Sequence, residues 1–292
     1  MGRKTKVALT VGAASVAAWA ASKVVVKPEP RAEKKALQFS EIAIVADVNS
    51  TDNSSDQSLS SYTHAADLGV HGLVVDVQLT KDEEIVVVPC LDLLYSIEVA
   101  DYTLAEIKDE LDVETESSEY SATTTSAQII SLRELLEKFP QLLVIISISD
   151  SPDTYEGSLI PSKLWRLLKE MDAAERVVIT SIYDEQIDRF NLYAQNSVAL
   201  GAGNEEIKKA YVAYNSGFGH LYKPTADLFC VPEKFGLFPV PSEGFVHFLQ
   251  QLNISVFYEI SDASTMQKLH KLHVDGFITH TPEEVLTFCN AN

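Results

Sequence analysis

Residues 68–82 read Leu68-Gly69-Val70-His71-Gly72-Leu73-Val74-Val75-Asp76-Val77-Gln78-Leu79-Thr80-Lys81-Asp82. From Gly72 to Leu79 the run is rich in β-branched and apolar residues, as in a strand covered on both faces. Successive side chains point to opposite faces of a strand, so Val74 and Asp76 share one face. Asp76 is the one carboxylate of that strand, and it stands toward the C-terminal end.

The same texture repeats on either side. Upstream, Ile42–Val48 predicts a strand, followed by a helical stretch over Asp56–Leu68. Downstream, Glu84–Val88 is a further apolar run, and Leu104–Leu111 and Leu132–Phe139 have helical spacing. Ser131 stands where an N-cap would precede Leu132. Leu142–Ile148 is a nearly continuous aliphatic run, expected of a buried strand. Helix Pro161–Met171, strand Arg176–Ile182, helix Asp184–Tyr193, strand Ser197–Leu200 and helix Glu205–Tyr214 follow. The series ends with strand Asp227–Val231, helix Glu243–Leu252, strand Ser255–Ile260, helix Ala263–Leu272 and strand Gly276–Thr279. Repeated β-then-α units imply a parallel sheet covered by helices. About eight such units in roughly 255 residues fit a closed (β/α)8 TIM barrel. A doubly wound sheet would show a glycine-rich loop after its first strand, and Asp47-Val48-Asn49-Ser50-Thr51 is no such loop.

Charge narrows the partners. The formal net charge is −19. Up to Leu37 the chain carries Arg3, Lys4, Lys6, Lys23, Lys27, Arg31, Lys34 and Lys35 against Glu29 and Glu33, so this segment is +6 and the remainder −25. A body that acidic repels phosphate backbones and anionic surfaces, which argues against nucleic-acid binding. The basic tail does the opposite. The acidic segment Glu106–Glu119 reads first as a solvated helix end and loop, and second as a docking site for a basic partner. Cys90, Cys230 and Cys289 are scattered, which supports neither a disulfide framework nor a zinc ribbon and favours a reducing compartment.

Residues 68–82 resemble the segment G-A-D-G-I-E-x-D-V-x-L-T-K-D of the glycerophosphodiester phosphodiesterases. In the same order, Tyr102–Ile107 resembles that family's D-L-T-L-x-E-L, Ser131–Leu136 its I-P-T-L-E-E-V-L, Arg176–Ser181 its fourth strand, and Val274–Thr279 its closing G-V-D-G-I-I-T-D. The resemblance implies a TIM barrel of the PLC-like phosphodiesterase type over residues 38–292, with chemistry at the C-terminal strand ends. It also implies losses. The family's opening H-R-G falls on Val45–Asn49, which holds neither residue. Its P-E-N-T falls on Ser55–Ser58, where Asp56 stands for the glutamate and is a second candidate metal ligand. Its E-x-D metal pair falls on Val74 and Asp76, leaving Asp76 as a remnant ligand. Its second catalytic histidine falls on Pro89-Cys90, its E-x-K on Ser147 and Ser149, and its closing D-R on His280-Thr281.

Attack on a phosphodiester needs an acid, a base and cations to neutralise developing charge. The remaining strand-end groups, Asp47, Asp76, Asp150 and Glu259, would repel a phosphate unless a metal intervened. The resemblance therefore implies a barrel without the family's phosphodiesterase activity, with no cofactor expected and with a binding or scaffold role. The alternative is a divergent hydrolase of glycerophosphodiesters or lysophospholipids. In that case Asp47, Asp76, Glu259 and His280 would form a rebuilt site for Mg²⁺ or Ca²⁺. Ser181 matches a family serine but lacks a histidine base, His270 and His273 read as part of an outer packing helix, and Tyr258 reads as core.

The first 37 residues form a separate unit. Residues 7–26, VALTVGAASVAAWAASKVVV, are long enough for one helical membrane span. A cleavable secretory signal and an organelle-targeting segment are the other readings. The basic residues after the span favour a membrane-anchored, cytosol-facing body, an organelle outer membrane included. The sequons at Asn49, Asn53 and Asn253 speak for the secretory alternative. Lys27–Lys35, with Pro28 and Pro30, reads as a charged linker.

Overall fold

Strand β1 (Ala43–Asp47) and strand β2 (Gly72–Leu79) lie side by side and parallel, with Asp47 opposite Val74. They belong to a computed structural model that describes residues 19, 21–48, 59–88, 98–109, 129–231, 242–260 and 263–291. Six further parallel strands are β5 (Leu143–Ile148), β6 (Val177–Ser181), β7 (Ala199–Leu200), β8 (Leu228–Val231), β9 (Ser255–Ile260) and β10 (Gly276–Thr279). Their order is β7-β6-β5-β2-β1-β10-β9-β8. A single parallel bridge, Gly201 to Leu228, joins the two ends of that order. Ala202 N–H donates to Leu228 O and Asp227 N–H to Leu200 O, each at 2.7 Å. Eight parallel strands thus close into the expected barrel.

Alternation along each strand sorts the side chains into two cores. Ala43, Val45, Leu143, Ile145, Val178, Leu228, Phe257 and Ile278 fill the barrel interior. Their strand neighbours, such as Ile44, Leu73, Val75, Ile146 and Phe229, face outward into the layer shared with the helices. The covering helices include α1 (Leu59–Asp67), α2 (Leu132–Lys138), α3 (Tyr155–Glu170), α4 (Asp184–Ala194) and α5 (Asn204–Asn215). After them come α6 (Glu243–Gln250), α7 (Ala263–His270) and α8 (Pro282–Ala291). The interior is packed by matching large against small. A Cβ at Gly276 would lie 2.8–2.9 Å from three ring atoms of Phe257, so the ring occupies the space a side chain would need. Tyr258, one residue on, points outward and is fully buried, as its reading as core requires. His270 meets the Phe288 ring edge-on at 5.9 Å, in keeping with an outer packing role.

Ser131 caps α2 as expected. Its hydroxyl accepts from Glu134 N, and the Glu134 carboxylate accepts from Ser131 N–H at 2.7 Å. The run at Glu84–Val88 behaves differently from a barrel stave. Strand β3 (Ile85–Val88) turns back antiparallel on β2 and pairs with β4 (Ile130–Ser131). The helix expected to begin at Pro161 begins at Tyr155 and carries Pro161 inside it. A proline there removes the N–H that would bond to Gly157 O. The buried Gln186 amide replaces it, donating to Gly157 O at 3.0 Å and to Asp150 O at 2.8 Å. The helical stretch expected from Asp56 is seen from Leu59, with residues 56–58 outside the described residues.

The charged stretch before the barrel does not hang free. Arg31 pairs with the buried Asp227 through Nε at 2.7 Å and Nη2 at 3.0 Å. Arg31 N–H donates to Leu252 O, and the Asn253 side-chain amide donates to Arg31 O at 2.8 Å, which engages one of the three sequon asparagines. Ala36, Leu37 and Phe39 then close the N-terminal end of the barrel, Phe39 lying 6.3 Å from the Phe257 ring. Residues 7–18 and 20 of the apolar segment lie outside the described residues. Residues 21–25 are helical, and among the described residues no helix is long and apolar enough to cross a membrane.

Candidate functional site

Strand period and register determine what meets at the C-terminal mouth. Asp47 ends β1 beside Val74 of β2, and Asp76 lies opposite Ser147 of β5, which lies opposite Thr180 of β6. A cavity with about 310 Å³ of accessible space opens here, lined by Asp47, Asp76, Ser147, Thr180, Cys230 and Glu259 among others. Val74 and Ile278 contribute apolar wall, and Ala202, Gly203 and Asn204 form the side beyond β7. No Lys or Arg lines it among the described residues.

His280 stands just past β10. Its Nδ1 is 2.7 Å from Asp47 O and 3.9 Å from Asp47 Oδ2, so the ring is held against the end of β1. The structure thus places Asp47, Asp76 and Glu259 around one space, with His280 beside Asp47 at its edge. Partial desolvation by the surrounding wall and the Asp47 charge raise the pKa of the Glu259 carboxyl, while His280 pulls the other way. Tyr62 of α1 is buried within electrostatic reach of Asp47 and Asp76, and burial together with those charges keeps it a neutral phenol. Burial, helped by Glu259, pushes the Cys230 thiol up to about 12, which makes it a poor nucleophile.

Three other sequence candidates lie elsewhere or serve the scaffold. Asp150 is buried behind the mouth, where one carboxylate oxygen accepts Leu79 N–H at 2.9 Å. Desolvation raises its carboxyl to about 6. Ser181 Oγ donates to Ile148 O at 2.6 Å and accepts from Tyr183 N–H, so it ties the β6 turn together. Glu106, the first residue of the acidic segment, receives the Thr103 N–H and hydroxyl, a local cap on the helical turn at 104–109. Asp56, Pro89, Cys90 and residues 110–119 lie outside the described residues.

A divalent cation is the group the resemblance implies for this mouth. Among the described residues no group of three or more His, Cys, Asp or Glu side chains could hold a metal ion. The reason is visible in the wall: Val74 and Ser147, the two residues flanking Asp76 on this face, bring no carboxylate. The described residues do not fit that centre. Sequence reasoning found Asp47, Asp76, Glu259 and His280 from their strand-end positions. It missed Tyr62, which lies buried in the layer between helix and sheet within electrostatic reach of Asp47 and Asp76 and leaves no strand-period signal.

Comparison with known proteins follows the same line. The profile of the Glycerophosphoryl diester phosphodiesterase family matches residues 49–284. A glycerophosphodiester phosphodiesterase of Caldanaerobacter subterraneus subsp. tengcongensis is 28% identical over 248 residues, covering 83% of this chain and 96% of the relative. The glycerophosphoryl diester phosphodiesterase domain of an uncharacterised Mycobacterium tuberculosis protein superposes with a TM-score of 0.67 at 15% identity, over 85% of this chain and 99% of that one. An Oleispira antarctica phosphodiesterase, solved with the product sn-glycerol-3-phosphate, gives 0.61 at 15% identity, over 86% and 97% of the two chains. At such identities the structural likenesses show the fold alone.

Proposed function

The chain belongs to the glycerophosphoryl diester phosphodiesterase family, and from that premise we propose a membrane-tethered barrel that binds a ligand at its mouth without hydrolysing a phosphodiester. One observation carries the reading. The cavity at the catalytic end of the fold presents Asp47, Asp76 and Glu259 but, among the described residues, no cationic side chain. Phosphoryl-transfer chemistry needs positive charge where negative charge develops, and this wall supplies the opposite sign. It favours a ligand that brings a positively charged group of its own, such as an ammonium head, over a free phosphate. The tether is carried by residues 7–26 and the flanking basic residues of the sequence.

The test is an assay of the full chain against glycerophosphodiesters and lysophospholipids with Mg²⁺ or Ca²⁺, beside an Asp76→Ala control. Calorimetric titration with choline, ethanolamine and glycerol phosphate accompanies it. No turnover, together with binding of the ammonium compounds in preference to glycerol phosphate, is the expected result. Metal-dependent turnover abolished by Asp76→Ala would overturn the reading in favour of a rebuilt hydrolytic site.

A further inference from the structure

The contacts of residues 19–37 fall on one end of the barrel. The Trp19 indole N–H donates to Gly217 O at 3.0 Å, and Ser22 Oγ lies 2.8 Å from His220 Nε2, both in the loop between α5 and β8. Arg31 reaches Asp227, Leu252 and Asn253, immediately before β8 and β9. Lys34 meets Asn196 O before β7, and Lys35 meets Glu175 before β6 at 2.5 Å. Every one of these partners precedes a strand, so the segment is fastened to the N-terminal face, opposite the mouth.

Bulky apolar side chains are exposed at both ends of the barrel, Tyr155, Ile182 and Tyr183 on the mouth side, but on the N-terminal face they lie beside lysines and Trp19. Val24 and Val25 are about four-fifths exposed, and Phe218 and Leu221 beside the Trp19 contact are nearly half exposed. Leu192 and Val212, toward the lower ends of α4 and α5, add to them. Lys23, 4.1 Å over the Trp19 ring, and Lys27 bring cations to the same region. An apolar patch mixed with lysine and tryptophan suits the boundary of an anionic bilayer. The three carboxylates of the mouth are repelled by that surface, whereas Lys23 and Lys27 are drawn to it.

We infer that the N-terminal face, through Val24, Val25, Phe218 and Leu221, seats on an anionic lipid bilayer, so that the mouth opens to the aqueous side. The ligand then comes from water, as a soluble molecule, and not from lipid embedded in the same bilayer. This orientation rests on the proposed tether and is independent of whether the mouth turns over a substrate.

The experiment places one fluorophore on the full chain, at Leu221→Cys or at Ile182→Cys on the mouth rim. The background carries Cys90→Ala, Cys230→Ala and Cys289→Ala. Phe218→Cys and Tyr183→Cys form a second pair, and circular dichroism confirms that each variant is folded. The chain is bound to phosphatidylcholine–phosphatidylglycerol vesicles containing a headgroup spin-label quencher. Strong quenching at 221 and 218 with little at 182 and 183, weakened by salt, is the expected result. Equal or reversed quenching would overturn the orientation. So would an unquenched label at 221, the outcome if residues 1–18 or a second copy cover the patch. Failure of the full chain to associate with vesicles would overturn both tether and orientation while leaving the turnover assay to judge the mouth.

Discussion

Replacing Arg31 with Met should destabilise the whole barrel, although Arg31 lies outside every strand and helix. Asp227 is 1% exposed in its side chain and receives three donors: Arg31 Nε at 2.7 Å, Arg31 Nη2 at 3.0 Å and Leu200 N at 3.0 Å. The substitution removes two of the three and leaves a buried carboxylate facing an apolar stem. Breaking a buried pair from one side typically costs about 3–5 kcal/mol. The Arg31 side chain is 16% exposed, so water can reach part of the vacated space and the lower end, about 3 kcal/mol, applies. Against a typical stability of about 5–15 kcal/mol that is a large share. Urea unfolding of the full chain, followed by circular dichroism, measures it as a fall in midpoint at constant slope. A cycle with Asp227→Asn should return a coupling of at least about 1 kcal/mol. A loss below about 1 kcal/mol, the worth of an exposed pair, would refute the argument and leave Lys27–Lys35 as the loose linker their composition suggests.

Further outcomes follow from the same geometry. Asp150 has its folded carboxyl raised to about 6, so its contribution is fully present below the unfolded value near 4 and is lost as pH rises through 6. Asp150→Asn keeps an acceptor for Leu79 N–H. It should raise stability by about 1–2 kcal/mol at pH 7–8 and by nothing at pH 4, as melting temperature against pH will show. Gln186→Leu strips the donors from Asp150 O and Gly157 O and should cost about 2–4 kcal/mol in urea unfolding. Adding Pro161→Ala, which restores an N–H for Gly157 O, should recover part of that loss; no recovery would mean the amide does not substitute for the missing helical bond. Gly276→Ala drives a methyl into the Phe257 ring and should cost about 1–3 kcal/mol, relieved by Phe257→Leu in the same chain.

What was legible in the sequence was whatever a short-range period encodes. The barrel strands and the four strand-end groups, Asp47, Asp76, Glu259 and His280, follow from alternation and from the place where each strand stops. The α2 cap follows from Ser131 and Glu134 three residues apart. Features that depend on distant partners were not legible. Pro161 looks like a helix start until Gln186, 25 residues on, is seen to supply the missing donor. Arg31 looks like linker charge until Asp227, 196 residues away, comes beside it. Glu84–Val88 has the composition of a stave but turns back on β2, because only pairing decides whether a strand crosses or doubles over. The likeness of residues 68–82 to a family segment pointed to the fold and to Val74 and Ser147 as replaced positions, whereas which side chains share one cavity became visible only once the strands were in register.

The closure of the barrel also has a mechanical meaning. Seven of its eight seams are ladders, whereas β7, two residues long, meets β8 through the single Gly201–Leu228 bridge. A ring opens first at its thinnest joint, and amide exchange at Ala202 and Asp227 should outpace that along β5 and β6. Ala202, Gly203 and Asn204 leave that joint directly into the rim of the cavity. The most thinly paired seam of the barrel therefore adjoins the rim of the cavity, while the carboxylates sit on well-laddered staves. Drift in residues 199–204 can widen or narrow what the cavity admits and leave its charge intact.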